Sequence, residues 1–475
     1  MNRLAWQSLG AALLLTLLMA TWALGIARYG GPDEPAHVVR AGSVASGEWI
    51  GRNDPQFPGG FRVVTVPATL ATGDPACFRH DAGVTPACAP ARPLDGIAHV
   101  ATAAGAYPPT YYGAVGMLAR LIGDRADAAS YRWAAIALSA VSILSILLRL
   151  RWFGRSALLA CAWLTPTTWF LLGVVNPNGL EILLVILAWV GVARAWNQPD
   201  LVRKGDVFWI SVPLGLAIAV RPVAFGAVVA IHLVVFVGQR CRPLLRRAGW
   251  WAPQLIATAA VLAWHHVARF RLDDPRASMP AGFLDSFTHS VGGTAATLRE
   301  LVGSLGWLEF SAPWLAQGLA WSMLVAITVA LLWHGSGAAQ RGIVTLIACL
   351  VAVPVLVETV LAGQVGLIWQ GRYSASTAAG IGALGLAEFR GRLSARDARL
   401  LVGAAVVVES TTFLAVVHRY TVGLGRDGWF SSSAGWAPPV PVGLLIAIHL
   451  TLVCVAAVLM LFAVGRSPTA QRHSM

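Results

Sequence analysis

The sequence predicts an all-α, polytopic transmembrane helix bundle, and three observations predict it. The chain of 475 residues is 57% hydrophobic and only 12% charged, with a mean hydropathy of +0.66, a balance that the surface of a soluble domain of this length would not carry. Its apolar runs are long and uninterrupted, close to the roughly 20 residues a helix needs to cross the hydrocarbon and unlike the alternating segments of about 10 that build a barrel. Its arginines recur between alternate runs, as a many-span topology requires.

The first run, 9–27, follows a basic residue, exceeds the core of a signal peptide and lacks a small-x-small cleavage pattern, so it predicts an uncleaved signal anchor. Further spans are predicted at 131–149, 156–175, 178–196, 207–221, 223–239, 250–268, 313–333, 342–362, 372–388, 399–417 and 441–464, about twelve in all. With Arg3 cytoplasmic, the alternate loops that should be basic are basic: Arg149 to Arg155, Arg194 to Lys204, Arg240 to Arg247, Arg341, Arg390 to Arg399, and Arg466 with Arg472. This places both termini in the cytoplasm, in a plasma (inner) membrane. The net charge of +13 is spread over these loops and not gathered with aromatics on one soluble face, so it names no nucleic-acid partner.

One domain is predicted over 1–465, with a tail at 466–475 too polar to order itself. Its two long outer segments are 28–130 and 269–312, and connections of that length carry function or are disordered. The acidic residues crowd into them, from Asp33 to Asp127 in the first and from Asp273 to Glu300 in the second. Acidic residues contribute little to insertion, so the asymmetry points to chemistry on the outer face. Residues 107–123, too short for a span and carrying Arg120, predict a helix lying at the interface. Cys77 and Cys88 share the first outer segment, in a compartment where disulfides persist, and are predicted to be bridged. The other four cysteines lie in or beside spans as small hydrophobes.

Five short polar motifs fall at the outer membrane surface. Asp33 and Glu34 follow the first span, where Pro32 and Pro35 would also suit a plain solvated turn. Tyr107-Pro108-Pro109 precedes Tyr111 and Tyr112; tyrosines alone read as an anchoring belt, but two prolines stiffen this one. Asn176-Pro177-Asn178-Gly179 is followed by Glu181, an ionisable group inside the next run, where it is costly and marks function or a buried partner. Arg221 and Arg372 sit on the side that should lack arginine. Each can snorkel, yet arginine is also the residue that grips a phosphate bidentately. Acid and guanidinium at one depth suit transfer of a group from a lipid-linked phosphate to a hydroxyl, the carboxylate taking the proton and the cations holding the departing phosphate.

The motifs Asp33-Glu34-Pro35-Ala36-His37, Tyr107-Pro108-Pro109, Asn176 to Glu181, Gly306-Trp307-Leu308-Glu309 and Gln370-Gly371-Arg372-Tyr373, in that order between about residues 9 and 420, resemble the GT-C superfamily of integral-membrane glycosyltransferases. The resemblance is closest to a bacterial polytopic membrane family known only as a domain of unknown function. It implies a GT-C-like fold, an inverting transfer from a polyprenyl-phosphate sugar to a cell-envelope glycan or glycolipid, and an acidic residue of the first outer loop as base or metal-assisted partner. That role falls on Asp33 or Glu34, with Asp33 preferred as the first after the span. His37, one turn on, is a second proton carrier, a metal ligand or a capping partner. Arg372, Tyr373, Arg221, Tyr107, Asn176, Asn178, Glu181 and Gln370 are the expected substrate contacts. A divalent metal, Mg or Mn, is the cofactor the resemblance allows. The family usually carries an aspartate where this chain has Asn178, so no acid or metal role is carried over there.

Glu409, His232 and His449 lie in spans outside these motifs, as proton relays or, more commonly, as groups paired within the bundle. Residues 418–440, with His418, Arg419, Tyr420, Arg426, Asp427 and Trp429, read as a lid or a plain connector. Against the enzyme stand two other classes: a transporter or binding protein for a lipid-linked glycan, and a structural subunit of an envelope-assembly complex. A transporter predicts paired half-helix breaks and mid-membrane charges; here the ionisable motifs gather at one face.

Overall fold

The structure, a computed structural model, describes residues 3–57, 60–89, 94–124, 126–198, 203–269, 282–425 and 436–465. The expected tail 466–475, Asp273 and Asp274, and Arg426, Asp427 and Trp429 lie outside these residues.

The described chain is mostly helical. Helix α1 (Arg3–Gly25) is followed by α2 (Glu34–Ala45), the antiparallel strands β1 (Arg62–Pro67) and β2 (Ile97–Thr102), and α3 (Pro109–Ile122). Then come α4 (Ala128–Leu150), α5 (Pro166–Leu172), α6 (Pro177–Asn197), α7 (Lys204–Val220), α8 (Phe225–Gly238), α9 (Ala248–Val267) and α10 (Phe283–Gly303). A small antiparallel pair, β3 (Ser304–Leu305) with β4 (Phe310–Ser311), precedes α11 (Trp314–His334), α12 (Gly337–Val365), α13 (Ala375–Glu388), α14 (Ala395–Thr421) and α15 (Val442–Gly465).

Helix starts follow the capping chemistry. Asp127, Asn176, Ser336 and Ser394 each accept a backbone N–H of the first turn they precede, and Pro177 occupies the first helical position, where its missing N–H costs nothing. Helix α6 is the axis of the bundle. It packs against α4, α7 and α13, and Trp189 and Trp196 are enclosed within it and its neighbours. A helix apolar on every side is one surrounded by protein.

Among the described residues seven segments are long and apolar enough to cross a membrane; the twelve expected spans are not all of that kind. The segment 156–175 is broken: a 3-10 stretch over Arg151–Trp163 ends before Pro166, and the Thr165 hydroxyl accepts from Thr168 N at 3.2 Å to start α5. Proline lacks the N–H that would continue the preceding helix and suits the first turn of a new one. Helices α7, α8 and α13 have 17, 14 and 14 residues, shorter than a full span, while α9 is long enough but contains Gln254, His265 and His266.

The first long segment is a built subdomain. Helix α2 packs on α3 and on β1, β1 pairs with β2 from Arg62↔Thr102 to Pro67↔Ile97, and Cys77 is bonded to Cys88. Within 107–123 lies α3, whose Met117, Leu121 and Ile122 are exposed. The second long segment carries α10, also with an exposed apolar face of Phe283, Leu284 and Phe287. Within the bundle, Trp22 donates to Glu409 Oε1 at 2.7 Å, His449 Nε2 stands 3.6 Å from the same oxygen, and His232 Nε2 accepts from Trp250 at 2.8 Å. The three ionisable residues without a motif are therefore paired.

Candidate active site

Residues 26–33 carry the chain from α1 to α2, and at their end the backbone of Asp33 is left-handed, φ 60° and ψ 7°. Aspartate at a helix N-cap ordinarily accepts a backbone N–H of the first turn. Asp33 makes no such bond; its Oδ2 instead accepts from Arg372 Nη2 at 2.8 Å. The Asp33 side chain is 46% exposed and that of Arg372 only 4%, so the carboxylate is reachable while the guanidinium is sunk into protein.

Glu34 takes the opposite course. It is buried, and its two oxygens receive Nε and Nη2 of Arg132, each at 2.7 Å. Val175 N donates to Oε1 at 3.1 Å and Gly31 N to Oε2 at 3.3 Å. Gly31 has to be glycine for this approach, because a Cβ there would stand 2.8 Å from the Val174 side chain.

Arg372 lies in a 3-10 turn, Gly371–Ser374, that leads into α13. The turn is fixed by Glu300 of α10, whose Oε2 accepts from Gly371 N at 2.9 Å. A Cβ on Gly371 would strike the α10 backbone at Thr297 and Leu301. The Tyr373 hydroxyl accepts from Arg372 Nη2 at 3.3 Å and from Arg221 Nη2 at 3.2 Å, and the Arg221 guanidinium lies 4.9 Å from the ring centre. Tyr373 therefore joins the two arginines. Each keeps buried donor capacity: Arg372 Nε and Arg221 Nη1 have no partner, and the Oε1 of Gln370, two positions before Arg372, has none either.

His37 is buried on the inner face of α2 and is hydrogen-bonded through Nδ1 to the Tyr112 hydroxyl at 2.9 Å, its ring stacked on that of Tyr112. Burial pushes its pKa down to about 3; Asp33 opposes this, while Arg221 and Arg372 add to it. His37 is thus a neutral imidazole near pH 7, with Nε2 unbonded. Tyr107 lies within the fields of Arg221, Asp33 and Arg372, and burial raises its phenol pKa.

Asn176 caps α6 through Oδ1, which accepts from Asn178 N at 3.0 Å, and its Nδ2 donates to Pro32 O at 2.9 Å. Asn178 and Glu181, in the first two turns of α6, are fully buried beside Ser376 of α13. A narrow crevice of only about 10 Å³ adjoins Arg372, lined by Pro32, Phe170, Leu171, Glu300 and Leu308 among others.

The structure thus brings Asp33, Arg372, Tyr373, Arg221, His37 and Tyr107 to one end of the bundle, with Asn178 and Glu181 one layer beneath and Asn176 holding the turn. Sequence reasoning missed Arg132, Glu300, Tyr420 and the bonding role of Trp307. Arg132 opens the second expected span on the side that should lack arginine, so it carried the same signal as Arg221 and Arg372, and its pairing shows what that signal marked. Among the described residues no three His, Cys, Asp or Glu side chains converge, and the Glu34 carboxylate is saturated by Arg132. This donor set does not fit a divalent cation.

The fold is GT-C-like, as the motifs implied. It is similar to that of ArnT from Cupriavidus metallidurans in the crystal structure bound to undecaprenyl phosphate, with a TM-score of 0.51 at 12% identity over 95% of this chain and 75% of that one. The apo structure of the same protein superposes with a TM-score of 0.47, also at 12% identity, over 95% of this chain and 76% of that one. No curated protein sequence matches the chain. The family described as predicted membrane protein (DUF2142) matches residues 15–379, the greater part of the sequence and every motif that builds the site, and the chain belongs to that family.

Proposed function

We propose that the protein is a membrane glycosyltransferase that moves a sugar from a polyprenyl-phosphate donor to a cell-envelope glycan or glycolipid on the extracytoplasmic face. One observation carries the reading: Asp33 and Arg372, 339 positions apart, meet at 2.8 Å at the edge of a narrow crevice. Asp33 is the base. Its carboxylate is the more accessible of the adjacent pair, and it accepts the acceptor hydroxyl's proton as that oxygen bonds to the anomeric carbon. The bond from that carbon to the phosphate oxygen breaks with its electron pair staying on the phosphate. Arg372 Nε and Arg221 Nη1, buried and unpaired, hold the charge that develops there. In the free protein Arg372 keeps Asp33 oriented; a bound phosphate competes for the same guanidinium and frees the carboxylate for the acceptor. Neutral His37 and the phenol of Tyr107 border the acceptor side, and Asn178 and Glu181 offer polar contacts to the donor. The undecaprenyl phosphate bound to ArnT supports a lipid phosphate as the carrier class.

The test uses membranes of a strain lacking the gene as the source of donor and acceptor, with envelope glycan analysis as the readout. Asp33→Asn, added back at wild-type levels, is expected to slow transfer about 10²–10⁴-fold with insertion unchanged. Wild-type transfer by this variant refutes the assignment of the base.

A further inference from the structure

We propose that Glu34 and Arg132 are positioning residues, a buried clamp that sets the backbone carrying Asp33 so that its carboxylate faces the reaction and not its own helix. The proposal rests on the reading of Asp33 as base.

The turn is held almost carbonyl by carbonyl, by side chains from distant elements. Arg132 Nη1 donates to Ala23 O at 2.8 Å and to Ile26 O at 2.7 Å, and Nη2 to Ala27 O at 2.6 Å. Trp307 Nε1 donates to Tyr29 O at 3.0 Å, the Tyr420 hydroxyl to Gly30 O at 2.9 Å, and Asn176 Nδ2 to Pro32 O at 2.9 Å. Five of the residues from Ile26 to Pro32 are therefore fixed by α4, α6, α14 and the loop before β4. Two non-glycine residues between α1 and α2, Tyr29 at φ 59° and Asp33 at φ 60°, are left-handed. Such backbone persists only where its surroundings over-determine it, and it gathers at sites where a side chain must be aimed.

Arg132 is the centre of this arrangement. All five of its donor contacts are made at 2.6–2.8 Å to groups of α1, the turn or α2. A planar fork meeting a carboxylate on one side and three carbonyls on the other has no lysine equivalent. Glu34 supplies the matching half, tying the first residue of α2 to Arg132 and to Val175 N. With Glu34 so anchored, the neighbouring Asp33 is turned away from capping α2 and toward Arg372. The paired acids divide the work: one is buried and saturated, the other half-exposed and held by a single bond.

Glu34→Gln keeps the shape and removes the charge; Arg132→Lys keeps the charge and removes the fork. Both are measured in the full chain for amount folded, transfer rate per folded molecule and affinity for undecaprenyl phosphate, with Asp33→Asn alongside. A misplaced reacting group is expected to cost about 10–100-fold in rate per folded molecule while affinity stays within about twofold. A merely structural clamp would lower the folded amount and leave the rate of what folds intact; that result overturns the proposal, and if Asp33→Asn is inactive the base assignment survives it. Equal losses of rate and affinity also overturn it, because the pair would then be shaping the donor site. Normal transfer by Asp33→Asn removes both assignments together. Should Glu34→Gln and Arg132→Lys fail to fold, Tyr420→Phe, which deletes only the bond to Gly30 O, is measured in the same three ways: a loss of rate at unchanged affinity supports the clamp, and an unchanged rate overturns it.

Discussion

Replacing Arg372 by lysine separates a phosphate-gripping guanidinium from a buried positive charge. The guanidinium is 4% exposed and divides its donors: Nη2 serves Asp33 at 2.8 Å and Tyr373 at 3.3 Å, and Nε faces no protein acceptor. Lysine keeps a point charge but cannot reach a carboxylate and a phosphate from fixed, diverging directions. One hydrogen bond to a charged group contributes about 1.5–3 kcal/mol, and each 1.4 kcal/mol is tenfold in Kd, so Arg372→Lys is expected to weaken binding of undecaprenyl phosphate by about 10–100-fold. The half-exposed Asp33 adds little, because water compensates it when the pair is broken. The assay is equilibrium binding of undecaprenyl phosphate to the purified full chain in lipid nanodiscs, with undecaprenol as the comparison. Loss confined to the phosphate-bearing lipid supports the role. If Arg372→Lys binds both lipids as the wild type does, Arg372 is not a phosphate ligand and the donor site lies elsewhere.

Two further predictions concern the scaffold. Burial holds the His37 pKa at about 3 in the folded chain against 6.5 otherwise, so only the unfolded chain takes up that proton as pH falls from 6.5. Stability complete above pH 6.5 is then lost on acidification at a limiting slope of about 1.4 kcal/mol per pH unit; His37→Gln should flatten the fall in Tm between pH 6.5 and 5, and an unchanged slope refutes the burial argument. Cys77→Ser with Cys88→Ser should cost about 2–4 kcal/mol in the subdomain between α1 and α4, seen as earlier proteolysis of 60–124 with the bundle intact; identical cleavage with and without reductant in the wild type would show that the bridge constrains nothing.

How much of this was legible in the sequence depends on the physics behind each signal. Hydropathy and arginine spacing report the cost of polar groups in hydrocarbon, which is large and local, so the helical bundle and its most apolar spans were readable. The same signal failed at 156–175, where the run is apolar throughout and only Thr165-Pro166 marks the break; burial inside protein and burial in lipid look alike to an averaged window. Amphipathic α10 was read as part of a loop because Ser286, Ser290 and Glu300 dilute its hydropathy, although they are the residues that face the protein. The disulfide was readable because two cysteines in one outer segment have few other fates.

The site was legible as residue types and not as roles. Asp33 and Glu34 are chemically alike and adjacent, and nothing in their local sequence distinguishes them; what does is a third residue, Arg132, nearly a hundred positions away. Its position at the start of α4, on the side where the arginine pattern leaves few basic residues, marks it as unusual without naming its partner. Yet a guanidinium there would not donate all its hydrogens to the end of α1 and to Glu34 unless that junction required them, because burying an arginine without complete pairing is costly. The division of labour between the carboxylates is therefore a property of tertiary structure: Arg132 chooses which acid is buried, and by that choice leaves the other to meet Arg372. A single sequence contains both halves of that choice, but their meeting is fixed only when α1, α4 and α6 pack together.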